Sequence, residues 1–170
     1  MIEALRYAAF LVFPVGMAIA AASDLLTMTI SNRLMLVLAA AFVALLPLVG
    51  LDLHAVGLHV AAGVAVLAIA FFCFAMGWIG GGDAKLAAVI ALWLGVEQGF
   101  EFLLLASLLG GALTLLILSF RGAVLPAFVI RHAWVQRLHD PRQGVPYGIA
   151  LAGAALAIYP HSVWTSLVTG

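Results

Sequence analysis

From Val56 to Ile79 no Asp, Glu, Lys or Arg interrupts the chain, and comparable apolar runs recur on both sides of it. A helix crosses a bilayer with about 20 apolar residues. Repeated runs of that length therefore constrain the fold more than any other feature. Charged residues make up only 8% of the 170 residues, hydrophobic ones 66%, and the mean hydropathy is +1.26. Soluble domains carry roughly 25% charged residues, so an ordinary soluble core is excluded. The runs lack sustained period-two alternation, which argues for helices over barrel strands. The fold class expected is all-α integral membrane: one membrane-embedded domain over residues 1–170, with room for about six spans.

The expected spans run from about Tyr7 to Ala22, Leu34 to Leu51, Val56 to Ile79, the glycine run to just before Glu97, Phe102 to Phe120, and Val145 to Val168. Pro14 and Pro47 are expected to kink the first two, and the last to break near Pro160. The fourth is short for a crossing. The opening residues resemble a cleavable signal, with A-I-A-A-A-S after an apolar stretch. Glu3 offsets Arg6 there, however, and the expectation is a retained helix. The fifth loop, around P-A-F-V-I-R-H-A-W-V-Q-R-L-H-D, reads as a basic segment at the headgroups. Pro126 suits the first turn of an interfacial helix there.

The net charge is zero, but its distribution is lopsided. With six spans, Arg33, Lys85, Arg121, Arg131, Arg137 and Arg142 fall on one side. Only Arg6 lies on the other, with Glu3, Asp52, Glu97 and Glu101. Short loops rich in Lys and Arg stay cytoplasmic. Both termini are then expected on the non-cytoplasmic side.

Two acids stand out. Asp24 closes the first run and Asp83 follows three glycines in G-W-I-G-G-G-D-A-K-L. The topology puts both at one cytoplasmic depth. Asp83 alone reads as a helix N-cap, and Asp24 alone as an interfacial carboxylate. Two carboxylates brought close cannot both ionise easily and share a proton. Such a pair supplies base and acid for attack of water on a peptide carbonyl. Gly80, Gly81 and Gly82 would permit unusual backbone conformations and close approach of a substrate strand. Alternatively they make a hinge, or a helix contact with Gly77 in small-xxx-small spacing. Lys85 is expected to reach lipid phosphate rather than pair with Asp83.

Other chemistries lack their signatures. Cys73 is the one cysteine and reads as a small buried hydrophobe. The five histidines form no H-E-x-x-H. Ser107, Thr114, Ser119 and Ser166 are expected to bond back to their own helices. No G-x-S-x-G or P-loop is present, and no metal, cofactor or nucleic acid is expected.

These residues resemble the type IV prepilin peptidases, G-x-G-D aspartic proteases of the bacterial inner membrane. The G-x-G-D element is Gly80-Gly81-Gly82-Asp83, followed by A-K-L with Lys85. Asp24 precedes I-S-N, ending in Asn32, where the family has an I-P-N-like element. V-P-Y-G-I-A-L supplies Pro146 and Gly148 in a P-x-G stretch. The resemblance implies Asp24 and Asp83 as catalytic, with Gly80, Gly81, Gly82, Lys85, Asn32, Pro146 and Gly148 as motif or substrate-positioning residues. It further implies prepilin or pseudopilin substrates, cut after glycine at the cytoplasmic membrane face. Their leaders would be short and basic. The paired C-x-x-C insert and methyltransferase segment of long members have no counterpart here, which resembles the short form serving Flp/Tad-type pili.

Lipid is the other expected partner, and the oligomeric state stays open. Two competing readings remain. One is a proton- or ion-coupled transporter, although both acids sit at one face. The other is a non-catalytic helix-bundle component of a pilus or secretion machine, with Asp83 as a cap.

Overall fold

A computed structural model describes residues 2–169. It is all-helical, with no strand among the described residues. The long elements are α1 (Ile2–Thr27), α2 (Asn32–Val49), α3 (Leu53–Ala75) and α4 (Gly81–Arg121). All four are long and apolar enough to cross a membrane. The short helices α5 (Ala127–Ile130) and α6 (Ala133–His139) follow, then α7 (Tyr147–Ile158), two 3-10 turns and α8 (Ser166–Thr169). Leu11, Val15, Ile19, Leu36, Val64, Phe71, Leu108 and Leu115 all face outward. An apolar exterior suits a lipid solvent, in which helices satisfy their own backbone.

The helix boundaries refine the expected spans. α1 continues through Pro14 and past Ala22 to Thr27, so Asp24 lies within its last turn, at the end of the first helix as expected. The expected fourth and fifth spans are two limbs of α4, with no loop between them. They meet at Gly95, whose φ of 76° and ψ of −165° are not helical. A straight helix would hold Asp83 and Thr114 about 46 Å apart, yet both line one cavity. The chain therefore folds back at Gly95. Only glycine reaches that conformation cheaply.

A helix that breaks in an apolar core strands its last carbonyls. Here His59 Nδ1 lies 2.9 Å from the Leu92 oxygen, and Trp164 Nε1 donates to the Trp93 oxygen at 2.7 Å. The first limb, residues 81–94, is about 21 Å long by helical rise, shorter than the hydrocarbon core. α7 is shorter still, at about 18 Å, because the chain leaves the α-helix for 3-10 turns at Tyr159 and Pro160.

The segment expected as one interfacial helix is two short ones, separated at Arg131 and His132. Val135 and Leu138 of α6 are buried, so this part packs against the bundle instead of lying free at the headgroups. Ser107, Thr114 and Ser119 bond back to the carbonyls four residues earlier, as their apolar surroundings require.

The largest buried side chains gather between α1, α2, α4 and the C-terminal turns. Trp93 packs on Trp164 at 4.5 Å between ring centroids and Phe13 on Tyr159 at 4.7 Å, with Phe42 edge-on to both tryptophans. The polar handles are satisfied too. Trp93 Nε1 donates to the Leu38 oxygen and Tyr159 Oη to that of Phe10. This knot holds together the end of the bundle where α4 reverses.

Candidate active site

The opposite end of the bundle is open. There α1 ends, α2 and α4 begin, and α7 begins, so four helix termini converge. A cavity of about 370 Å³ is lined by Asp24, Met28, Thr29, Ile30, Asn32, Gly80, Gly81, Gly82, Asp83 and Lys85. A second, of about 870 Å³, shares Asp24, Met28, Gly80 and Asp83 with the first. It extends along Ala87, Leu103, Ala106, Tyr147 and Leu151. The two aspartates lie where a small polar chamber meets a larger, mostly apolar one. Both carboxylates border each of the two cavities.

Asp24 is only 5% exposed. Its Oδ2 accepts the Gly148 backbone amide at 2.7 Å. A methyl group on Gly148 would stand 2.8 Å from that oxygen and 2.8 Å from Ile30 Cδ1, so only glycine lets the amide come this near. The turn V-P-Y-G is therefore part of the site through its backbone. Pro146 is fully buried at its start.

Asp83 sits in the first turn of α4, where a carboxylate is favoured by the helix dipole. It is not the N-cap, as one expectation had it. That position belongs to Gly80, and the Asp83 carboxylate turns back toward the Gly80 amide. The three glycines adopt ordinary torsions; space is tight at Gly80 and Gly81 and ordinary at Gly82. Gly80 has φ −72° and ψ 144°, and Gly81 and Gly82 are helical. A methyl group on Gly80 would fall 2.9 Å from Asp83 Oδ2, on Gly81 3.2 Å from the Phe74 ring, and on Gly82 3.5 Å from Ile30. The small-xxx-small reading with Gly77 does not hold, because Gly77 lies in the preceding turn at φ 76°.

Lys85 makes a bond the sequence did not announce. Its Nζ donates to Asn32 Oδ1 at 2.9 Å, joining the starts of α4 and α2 across the first cavity. It is not paired with Asp83, as expected, but its partner is Asn32 rather than a lipid phosphate.

The loop between α1 and α2 is the other feature sequence reasoning missed. Met28 has φ 54°, a left-handed conformation costly for a side chain of its kind. The loop is held by Ser23 Oγ donating to the Thr29 oxygen and by the Met28 amide closing onto the Asp24 carbonyl. Nothing in T-M-T-I-S-N signals that torsion. Arg137, in the segment read from the sequence as headgroup-bound, and Arg121, counted there only in the charge asymmetry, donate to backbone carbonyls around this end. Arg137 Nη2 donates to the Leu26 oxygen, in the last turn of α1. No group of three His, Cys, Asp or Glu side chains among the described residues is placed to hold a metal.

A multi-pass helical membrane protein with two carboxylates at the junction of two cavities is the class that fold and site define. The family model of the type IV leader peptidase family matches residues 11–115. That is more than half of the chain, and the protein belongs to this family of leader peptidases. The matched stretch contains Asp24, Asn32, Gly80, Gly81, Gly82, Asp83 and Lys85, and stops before Arg121, Pro146 and Gly148. No curated protein and no solved structure matches the chain.

Proposed function

We propose that the protein is an aspartic endopeptidase in which Asp24 and Asp83 are the catalytic pair. It removes the basic leader of prepilin-like proteins by cutting after glycine at the cytoplasmic face of the bacterial inner membrane, for pilus assembly. The observation that carries this reading is that the two aspartates, far apart in sequence, line both cavities together.

The chemistry follows from sharing one proton between two adjacent carboxylates. The ionised member takes a proton from a water as its oxygen attacks the scissile carbonyl carbon. The protonated member donates to the developing oxyanion, and the C–N bond then breaks as the amine nitrogen gains a proton. The shapes of the cavities favour a direction for the substrate. The polar chamber beside Asn32 and Lys85 suits the leader and the glycine. The longer apolar chamber between the limbs of α4 and α7 suits the apolar residues that follow the cut.

Sidedness rests on charge. Arg121 and Arg137 gather at the end carrying Asp24 and Asp83, Arg33 and Lys85 flank the α2–α4 junction, and Arg131 and Arg142 lie in the connecting segment. Basic residues mark cytoplasmic ends, which supports a cytoplasmic position for the pair and the opposite side for the termini.

The test is cleavage of a short prepilin in membranes, read by mass spectrometry of the new N-terminus. Asp24→Asn and Asp83→Asn are each expected to slow cutting by roughly 10²–10⁴-fold, the usual weight of a general acid or base. Asp52→Asn, at the α3 N-cap, is expected to cut after glycine as the wild type does. Normal cutting by either site variant would remove the aspartic protease reading. A role as a bundle component, in which Asn caps nearly as well as Asp, would replace it.

A further inference from the structure

Arg121 lines neither cavity, yet its guanidinium makes three bonds directed at the site. Nε donates to the Leu138 oxygen at 2.8 Å, and Nη2 donates to the Gln143 and Gly144 oxygens at 3.0 and 2.8 Å. These carbonyls belong to the end of α6 and to the turn after it, and Gly144 itself lines the larger cavity. Two residues beyond Gly144 comes the buried Pro146, and two beyond that the amide bonded to Asp24.

A basic residue in the last turn of a helix has two plainer readings. It complements the carbonyls of its own helix, or it reaches lipid phosphates. The first is already served by the Gly122 amide, which closes onto the Leu118 oxygen. The second does not account for three donors spent on backbone oxygens of another segment. The planar fork of arginine suits divergent acceptors in a way that a lysine ammonium does not.

We infer that Arg121 is a positioning residue: by clamping the 138–144 turn to the end of α4, it sets the Gly148 amide against Asp24. This rests on Asp24 being a member of the proposed pair. The clamp lies outside the stretch that matches the family model. It joins α4, whose first limb carries Asp83, to the segment that orients Asp24. The first limb of α4 thus holds one carboxylate at its start, and the end of the second limb steadies the other.

The test compares Arg121→Lys with Arg131→Met, which removes an exposed charge in the same connecting segment. Three quantities are read in each: prepilin cleavage rate, thermal midpoint in detergent, and hydrogen–deuterium exchange over residues 143–149. Arg121→Lys keeps the charge but not the fork. It is expected to cut roughly tenfold or more slowly, as befits a misplaced catalytic group, with faster exchange confined to 143–149 and a thermal midpoint near the wild-type value. Arg131→Met is expected to match the wild type. Wild-type cutting and exchange in Arg121→Lys would overturn the clamp, leaving a simple charge. Loss that tracks a lowered midpoint and faster exchange throughout would overturn it in favour of general stability. The exchange reading does not depend on proteolysis. Failure of the Asp24 and Asp83 variants to affect cutting is therefore distinguishable from failure of the clamp.

Discussion

The two ends of this helical bundle are built on opposite principles. At the Gly95 end, Trp93, Trp164, Phe13, Phe42 and Tyr159 fill the interior, and the indole and phenol donors find backbone oxygens. At the Asp24 and Asp83 end, four helix termini enclose two cavities that meet at the carboxylates, one lined mainly by glycines and polar groups and one mostly apolar. One end provides cohesion and the other leaves space for a peptide. The same residue type marks both. Gly95 is there for a torsion that no other residue adopts cheaply. Gly80 and Gly148 are there because a methyl group would displace a carboxylate. The contrast teaches that the open end tolerates cavities because the closed end supplies the packing.

The sharpest way to break this contrast is at the aromatic knot. Trp164→Ala removes a fully buried ring and the bond to the Trp93 oxygen. It is expected to cost about 3–5 kcal/mol of stability, seen as a lowered thermal midpoint in detergent. The remaining folded molecules are expected to cleave at a near-normal rate. A selective loss of activity with an unchanged midpoint would show that the closed end participates in catalysis.

The converse holds at the open end. Gly148→Val places side-chain atoms where Asp24 Oδ2 and Ile30 now lie. Cleavage is expected to fall by roughly 10²-fold, the scale of a misplacement near 1 Å, with a smaller fall in the midpoint than Trp164→Ala produces. Equal losses of stability in the two variants would erase the division between the ends.

Smaller effects come from the strut across the polar chamber. Asn32→Ala leaves Lys85 without its oxygen acceptor. A drop of roughly five- to tenfold in kcat/KM is expected, equivalent to about 1 kcal/mol, the usual net worth of one hydrogen bond. If the bond matters as a pair, Lys85→Met in the Asn32→Ala background adds little, which a double-mutant cycle on cleavage rates reads directly. Additive losses would mean that the two side chains act separately on the substrate.

Much of the site was legible because it is carried by short local patterns. Gly80 to Asp83 followed by Lys85, Asp24 ahead of Ile30 to Asn32, and Pro146 to Gly148 are each readable in a line of sequence. The apolar runs likewise announced a helical membrane protein. What remained illegible depends on contacts between distant segments. The fold-back at Gly95 is one case: V-E-Q after it suggested a loop, but the helix resumes at once. The break of the last helix near Pro160, by contrast, was legible from the proline itself. The left-handed torsion of Met28, the Lys85 to Asn32 bond and the carbonyl partners of Arg121 and Arg137 left no local trace.

By itself the sequence determined the solvent, the secondary structure and the inventory of chemistry. Apolar run length dictates helices in lipid, because every backbone polar group there must be satisfied internally. Scarce polar residues in such a chain point to function, because burying them is costly. Only the tertiary structure decided that Asp24 and Asp83 share a cavity and that the Gly148 amide faces Asp24. It also decided that Arg121 and Arg137 bind backbone carbonyls. Those outcomes depend on where α4 reverses and which helix ends meet, and that is set by packing around the aromatic knot.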